Sequence, residues 1–166
     1  MLASCCAVAR TIEGLGQFQV QVRWPNDLLI DGRKVAGILV EQVGSTALIG
    51  VGINTRVGEH ELPATDSGRP ICATSLHLHG VTADRLYILD QLLDRLEGEL
   101  YRAADADLLA QWRRRSCLTQ QRVTVRSGER TITGRVIDVD PRHGLLLADD
   151  RGAMHTLAAA TTSLLV

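Results

Sequence analysis

The sequence predicts an α+β protein: strands pairing mainly with their neighbours, backed by helices, and followed by a separate all-β unit. Three observations predict it. Apolar residues recur at helical spacing near the start and again between residues 86 and 100. Between those stretches the period falls to two, with glycine turns separating the runs. Beyond Cys117 only short strand-like runs remain.

The elements follow in order. Leu2, Cys5, Val8, Ala9 and Ile12 mark a helix over 2–13, ended by Gly14 and Gly16. No capping residue precedes it, and a helix that starts at the initiator methionine is unusual for an intact domain edge, so a shortened domain is expected. From Phe18, Val20 and Val22 alternate with glutamines, which predicts a half-buried strand ending at Trp24-Pro25. Leu28–Ile30 and Val35–Val40 flank Asp31-Gly32, a two-residue hairpin signal, and Gly44-Ser45 turns the chain into 47–54. An antiparallel meander of about four strands results. Residues 55–80 read as a polar connection with a short helix at 75–78. Thr82 or Asp84 can cap a long helix whose Leu86, Leu89, Leu93, Leu96 and Leu100 form one stripe, expected to be core. A shorter helix follows over 105–115. Val123/Val125, 132–139, 145–147 and 154–157 then suggest a small barrel. The expected division is 1–116 and 117–166.

Composition narrows the function. The chain has 166 residues, 45% apolar and 22% charged, which excludes disorder, collagen-like sequence and a disulfide scaffold. A net charge of −1 gives no electrostatic footprint for nucleic acid or membrane. The four cysteines lack C-x-x-C spacing and read as reduced thiols of a cytoplasmic protein. No apolar run is long enough to span a bilayer. Leu2-Ala3-Ser4-Cys5 lacks the basic region and apolar run of a processing signal. Lys34 is the single lysine; every other basic residue is arginine. Lysine offers a compact ammonium that arginine does not.

The chemistry concentrates in Arg23-Trp24-Pro25-Asn26-Asp27, Gly32-Arg33-Lys34-Val35-Ala36-Gly37-Ile38-Leu39-Val40-Glu41 and Gly50-Val51-Gly52-Ile53-Asn54. Strand alternation puts Gly50, Gly52 and Asn54 on one face. Two glycines on one face are expected where a ligand approaches, or where a bulge or helix packs on them. Asn54 can offer an amide to such a ligand. The Lys34 ammonium, beside accessible backbone N–H groups near Gly37, could hold a carboxylate and a phosphate together. Strict alternation nevertheless separates Lys34 and Gly37 onto opposite faces, so one of them acts through backbone, around an edge or beside a bulge.

In this order and at this spacing the three motifs closely resemble those of the biotin protein ligases, and the likeness continues through Gln111-Trp112-Arg113, Arg115-Ser116 and Gly144–Leu147. The resemblance implies a partial catalytic domain similar to class II aminoacyl-tRNA synthetases and lipoate ligases, with an antiparallel or mixed sheet, followed by an SH3-like β-barrel. It implies activation of biotin by ATP with Mg2+ to biotinyl-AMP, then transfer to a lysine of biotin carboxyl carrier protein, the acetyl-CoA carboxylase subunit. Carried over, Lys34, Asn26 and Asp27 are catalytic; Lys34, Gly37, Ile38 and Leu39 bind biotin; Trp24, Asn26, Lys34, Gly50, Gly52 and Asn54 border the adenylate. No metal ligands are expected beyond those of the nucleotide, and a homodimer is compatible. The family's Gly-Arg-Gly-Arg-x-Gly-Arg loop is absent, which predicts a weak or inactive ligase on its own. The alternatives are a non-catalytic module that docks carrier protein or a ligase subunit, and a lipoate ligase relative, which the Trp-Pro-Asn-Asp and Arg-Lys-x-Ala-Gly pairing disfavours.

Two further features read as structural. His77-Leu78-His79 with His60 lacks a third spaced ligand for a metal. Arg113-Arg114-Arg115 suits a helix C-terminus as capping or solvated charge.

Overall fold

The computed structural model describes residues 1–62, 65–66, 69–70, 72–102 and 106–165. Helix α1 (Leu2–Glu13) lies at the centre and is buried at ten of its twelve positions. Its Ala, Ser, Cys and Thr residues leave room for neighbours on several sides, and Thr11 returns its hydroxyl hydrogen to the Ala7 carbonyl. Strands β1 (Gln21–Arg23), β2 (Asp27–Ile30), β3 (Arg33–Val43) and β4 (Thr46–Ile53) form an antiparallel sheet in chain order. The first is shorter than the alternation suggested, although Val20 and Val22 are buried as that pattern requires.

The turns explain the meander. Asp31 and Gly32 both adopt positive φ, at 50° and 74°, the geometry that closes a two-residue hairpin with the twist of its strands. After β4 come a two-residue ribbon, β5 (Thr65–Asp66) and β6 (Arg69–Pro70), and a 3-10 turn at His77–His79. Asp84 caps α2 (Arg85–Tyr101) by accepting from the Leu86 N–H, and α3 (Ala106–Arg115) follows.

The carboxy-terminal strands β7 (Arg122–Ser127), β8 (Arg130–Asp140), β9 (Gly144–Asp149), β10 (Met154–Leu157) and β11 (Thr162–Leu164) run in the order β10-β9-β8-β7-β11. Where a small barrel was expected, the described residues form an open antiparallel sheet, because β10 and β11 occupy opposite edges and do not pair. The β8–β9 pair approaches closely at Gly134, where a Cβ would collide with the Ala148 carbonyl.

One apolar cluster runs through α1, the first sheet, α2, α3 and the inner face of the second sheet, with Trp24 and Trp112 fully buried. The arginines at the end of α3 do more than cap it. Arg115 bonds to both carboxylate oxygens of Glu13, which also accepts from the Val20 N–H, while Arg113 reaches Asp138 and Asp140.

The leucine stripe of α2 is a correction. The line packed inward is Ile88, Leu92 and Glu99, whereas Leu86 is 70% exposed and Leu93 56%. Glu99 can face the core because Arg10 and Arg102 pair with it. A reading that looks only for apolar residues passes over that buried position.

Candidate active site

The register of the first sheet decides how the singled-out residues meet. In β3, Leu28 pairs with Ala36 and Leu29 with Lys34, so Val35 is an extra residue opposite β2. Val35 and Ala36 are both buried as a result. This bulge reverses the alternation and brings Lys34 onto the face of Gly37. The Lys34 ammonium then lies along the sheet, 2.6 Å from Asp27 Oδ1, and a Cβ placed on Gly37 would sit 3.5 Å from it. The question of opposite faces is thereby settled in favour of the bulge.

Asp27 faces two cations. Its Oδ2 accepts from Arg23 Nη2 at 2.8 Å, its Oδ1 is held by Lys34, and its side chain is only 17% exposed. Antiparallel pairing puts Arg23 opposite Asp27 and Asp27 opposite Gly37, so the triad crosses three strands on one face. Cross-strand neighbours continue that face: Gly37 pairs with Gly52, and Leu39 with Gly50. Among the described residues no helix covers the two β4 glycines. A Cβ at Gly50 would meet only Leu39 at 3.8 Å, and one at Gly52 only the Gly37 carbonyl at 3.9 Å. Neither a bulge in β4 nor a packed helix accounts for them, and the result is a smooth, open floor beside the ammonium.

The backbone around Lys34 is held on both sides. Its N–H donates to the Cys72 carbonyl at 2.7 Å and its carbonyl accepts from the Thr74 N–H at 2.8 Å, an isolated parallel bridge to Ala73. Asn54 closes this junction. Its N–H donates to the Val35 carbonyl, and its side-chain Nδ2 donates to the Thr74 carbonyl at 2.9 Å.

The structure therefore brings together Lys34, Asp27, Gly37, Leu39, Gly50 and Gly52, with Asn54 adjoining through backbone and amide. Asn26 sits in the turn leading to Asp27; its carbonyl accepts from Ile38 N–H, and its side-chain amide makes no hydrogen bond among the described residues. Trp24 and Ile38 are each 1% exposed, so their side chains stand in the core behind this face. His79 hydrogen-bonds to Thr74 and packs its ring against Phe18 in a tilted arrangement, centroids 5.9 Å apart. Among the described residues no three His, Cys, Asp or Glu side chains cluster to hold a metal.

Two contributors were given no role from sequence. Arg23 could have been found, since it opposes Asp27 across the Trp24-Pro25-Asn26 turn. The segment 72–74 could not, because nothing local marks a chain that returns to β3 from so far along the sequence.

Residues 1–57 match the family model of the biotin/lipoate A/B protein ligase family. The bifunctional ligase/repressor BirA of Salmonella typhimurium is 31% identical over 151 residues, covering 86% of this chain and 46% of that protein. The biotin--[acetyl-CoA-carboxylase] ligase of Mycobacterium tuberculosis is 36% identical over 130 residues, covering 76% of this chain and 46% of that protein. The chain thus spans about half the length of these curated relatives. In fold it resembles the biotin protein ligase of Aquifex aeolicus, at a TM-score of 0.81 and 24% identity, over 98% of this chain and 72% of that one. The same ligase solved in complex with biotin and ATP gives a TM-score of 0.77 at 23% identity, over 98% of this chain and 69% of that one.

Proposed function

The chain belongs to the biotin protein ligase family, and from that premise we propose that it serves the ATP-dependent joining of biotin to a lysine of biotin carboxyl carrier protein. The observation that carries this reading is the Lys34 ammonium, held by Asp27 above Gly37 at the border of an open glycine floor. A planar carboxylate and a phosphate can approach such a floor closely, and a single mobile ammonium can serve both.

The mechanism follows from these residues. Biotin lies against Gly37 and Leu39, with the nucleotide over Gly50 and Gly52 towards Asn54. Its carboxylate oxygen attacks the α-phosphate; a C–O–P bond forms, the bond to the β-phosphate breaks, and pyrophosphate leaves. Lys34 stabilises the negative charge that gathers between the two reactants. Asp27 and Arg23 orient Lys34 before the substrates arrive, and Lys34 turns from Asp27 to the reacting oxygens. The Asn26 amide is available to substrate. Trp24 and Ile38 act from the core by fixing the backbone of the turn and of β3. Mg2+, when bound, would be carried by the nucleotide phosphates and would neutralise part of their charge. The carrier lysine then attacks the activated carbonyl and AMP leaves.

In this reading residues 1–116 form part of the catalytic domain and 117–166 an SH3-like unit, in a cytoplasmic protein that can pair with a second copy. No helix among the described residues is long and apolar enough to cross a membrane. The 166 residues contain no Gly-Arg-Gly-Arg run, so adenylate formation by the chain alone is weak. That observation also favours a second reading, in which the chain docks carrier protein or a ligase subunit without activating biotin.

The test is pyrophosphate release from biotin and MgATP by the purified chain, with direct titration of biotinyl-AMP alongside. Slow release that Lys34→Ala lowers by about 10² or more supports the catalytic reading. Turnover equal to that of a full-length relative overturns the proposed weakness. Carrier binding with no affinity for biotinyl-AMP establishes the docking reading instead.

A further inference from the structure

Helix α2 has a wider apolar arc than α1 covers. Leu86, Leu89, Leu93, Leu96 and Leu100 recur at alternating steps of three and four, the spacing of a seam between paired helices. Leu89 and Leu100 are each 48% exposed, and Leu86 and Leu93 more so. Leu93, Leu96, Leu100 and Tyr101 line a groove of about 540 Å3, with Glu97 also on its wall. Contiguous exposed apolar side chains rimmed by polar residues mark an interaction surface.

The charges beside the seam choose the occupant. On one side lies the line packed against α1. On the other, at about 100° per residue, Asp90, Asp94 and Glu97 stand in one row, and none of the three has an ion pair among the described residues. We propose that this face binds a basic amphipathic helix of a partner protein. Its apolar residues would seat in the leucine seam, with its Lys or Arg side chains along the acidic row. A second copy of α2 fits less well: antiparallel, the acidic rows would face each other, and parallel, each row would meet the line that α1 already occupies. An anionic bilayer is repelled by the same row. The 17-residue helix is roughly 25 Å long, which suits a helix laid in a groove.

The experiment uses the 166-residue chain and two synthetic helical peptides of about 18 residues, identical in their leucines but flanked by Lys in one and Glu in the other. Fluorescence anisotropy should show the Lys-flanked peptide binding at least about tenfold more tightly, with the margin shrinking in high salt. Leu93→Glu should weaken it about tenfold or more. The double change Asp90→Lys with Glu97→Lys should reverse the preference, a result that apolar stickiness alone does not produce. Hydrogen exchange should show protection centred on 86–100. Equal affinity for both peptides, or protection elsewhere, overturns the proposal. So does a dimer that Leu93→Glu dissociates and the Lys-flanked peptide does not disrupt. Binding to phosphatidylcholine vesicles without peptide preference overturns it as well.

Discussion

Lys34 and Gly37 are three residues apart and act on one face because Val35 is one residue too many opposite β2. The motif was legible in the sequence, and the bulge only as one of three alternatives, since nothing in Arg33-Lys34-Val35-Ala36-Gly37 distinguishes a bulged strand from a regular one. Lys34 is also the sole lysine, so amine-directed labelling reads this position directly, apart from the amino terminus. Acetylation followed by mass spectrometry should modify Lys34 in the free chain, where its side chain is 25% exposed. Biotinyl-AMP should slow that modification several-fold. Unchanged labelling at saturating ligand would remove Lys34 from the site. Replacing Gly37 by Val puts branched methyls where the ammonium now lies, and should weaken biotinyl-AMP binding at least about tenfold while leaving the circular dichroism spectrum unaltered. The thiols give a second residue-scale expectation. Burial pushes Cys5 up to about 11 and Cys6 up to about 12, and it raises Cys117 too, while Cys72 is exposed. Since the thiolate is the reactive form, a disulfide reagent at pH 8 should modify Cys72 first and reach Cys5 and Cys6 only on unfolding. Rapid modification of Cys5 in the native chain would contradict this packing.

At the scale of elements, the sequence was most informative where contacts are local. The Asp31-Gly32 hairpin, the Asp84 cap and the strands between them depend on turn chemistry and on periods of two and 3.6. It was least informative where an element's partner lies far away. The leucines of α2 mark an apolar face, but only the position of α1 decides which half is covered. Arg113 and Arg115 look like C-terminal dipole residues, yet their carboxylate partners come from β8 and from the end of α1. Glu13 therefore joins α1 to α3 and to the residue that leads into β1, accepting from Arg115 and from the Val20 N–H. The pair is about one-quarter exposed or less on each side, which leaves little water to take over. Glu13→Ala should cost about 2 kcal/mol in urea unfolding, below the range for a fully buried pair. Arg115→Ala should cost a similar amount, and the double variant less than the sum. Strict additivity in that cycle would show that the two side chains do not act on each other.

Across the whole molecule, the proposed boundary near residue 116 crosses a continuous core rather than a gap. Cys117 N–H donates to the Val22 carbonyl, Ser116 bridges Val22, and Arg113 reaches the end of β8. Both tryptophans precede the boundary, so their fluorescence follows the first unit, whereas far-ultraviolet circular dichroism follows both. Coincident urea transitions are expected from the shared cluster; a separate dichroism step would mark an independent second sheet. Asp140 carries this coupling into pH. Burial alone would raise its pKa, but the Arg142 N–H, His143 and the Arg142 charge outweigh that and hold it below the usual carboxylate value. A depressed folded-state pKa contributes stability that is present above the ordinary value, near 4, and is lost as pH falls through the lower folded value. Wild type should thus lose midpoint stability as pH falls below about 4 more steeply than Asp140→Asn does. Because Arg113 of α3 also faces Asp140 at 3.6 Å, the tryptophan transition should move with the dichroism transition over that interval. If acid shifts only the dichroism, the second sheet titrates by itself and the shared core does not transmit its loss.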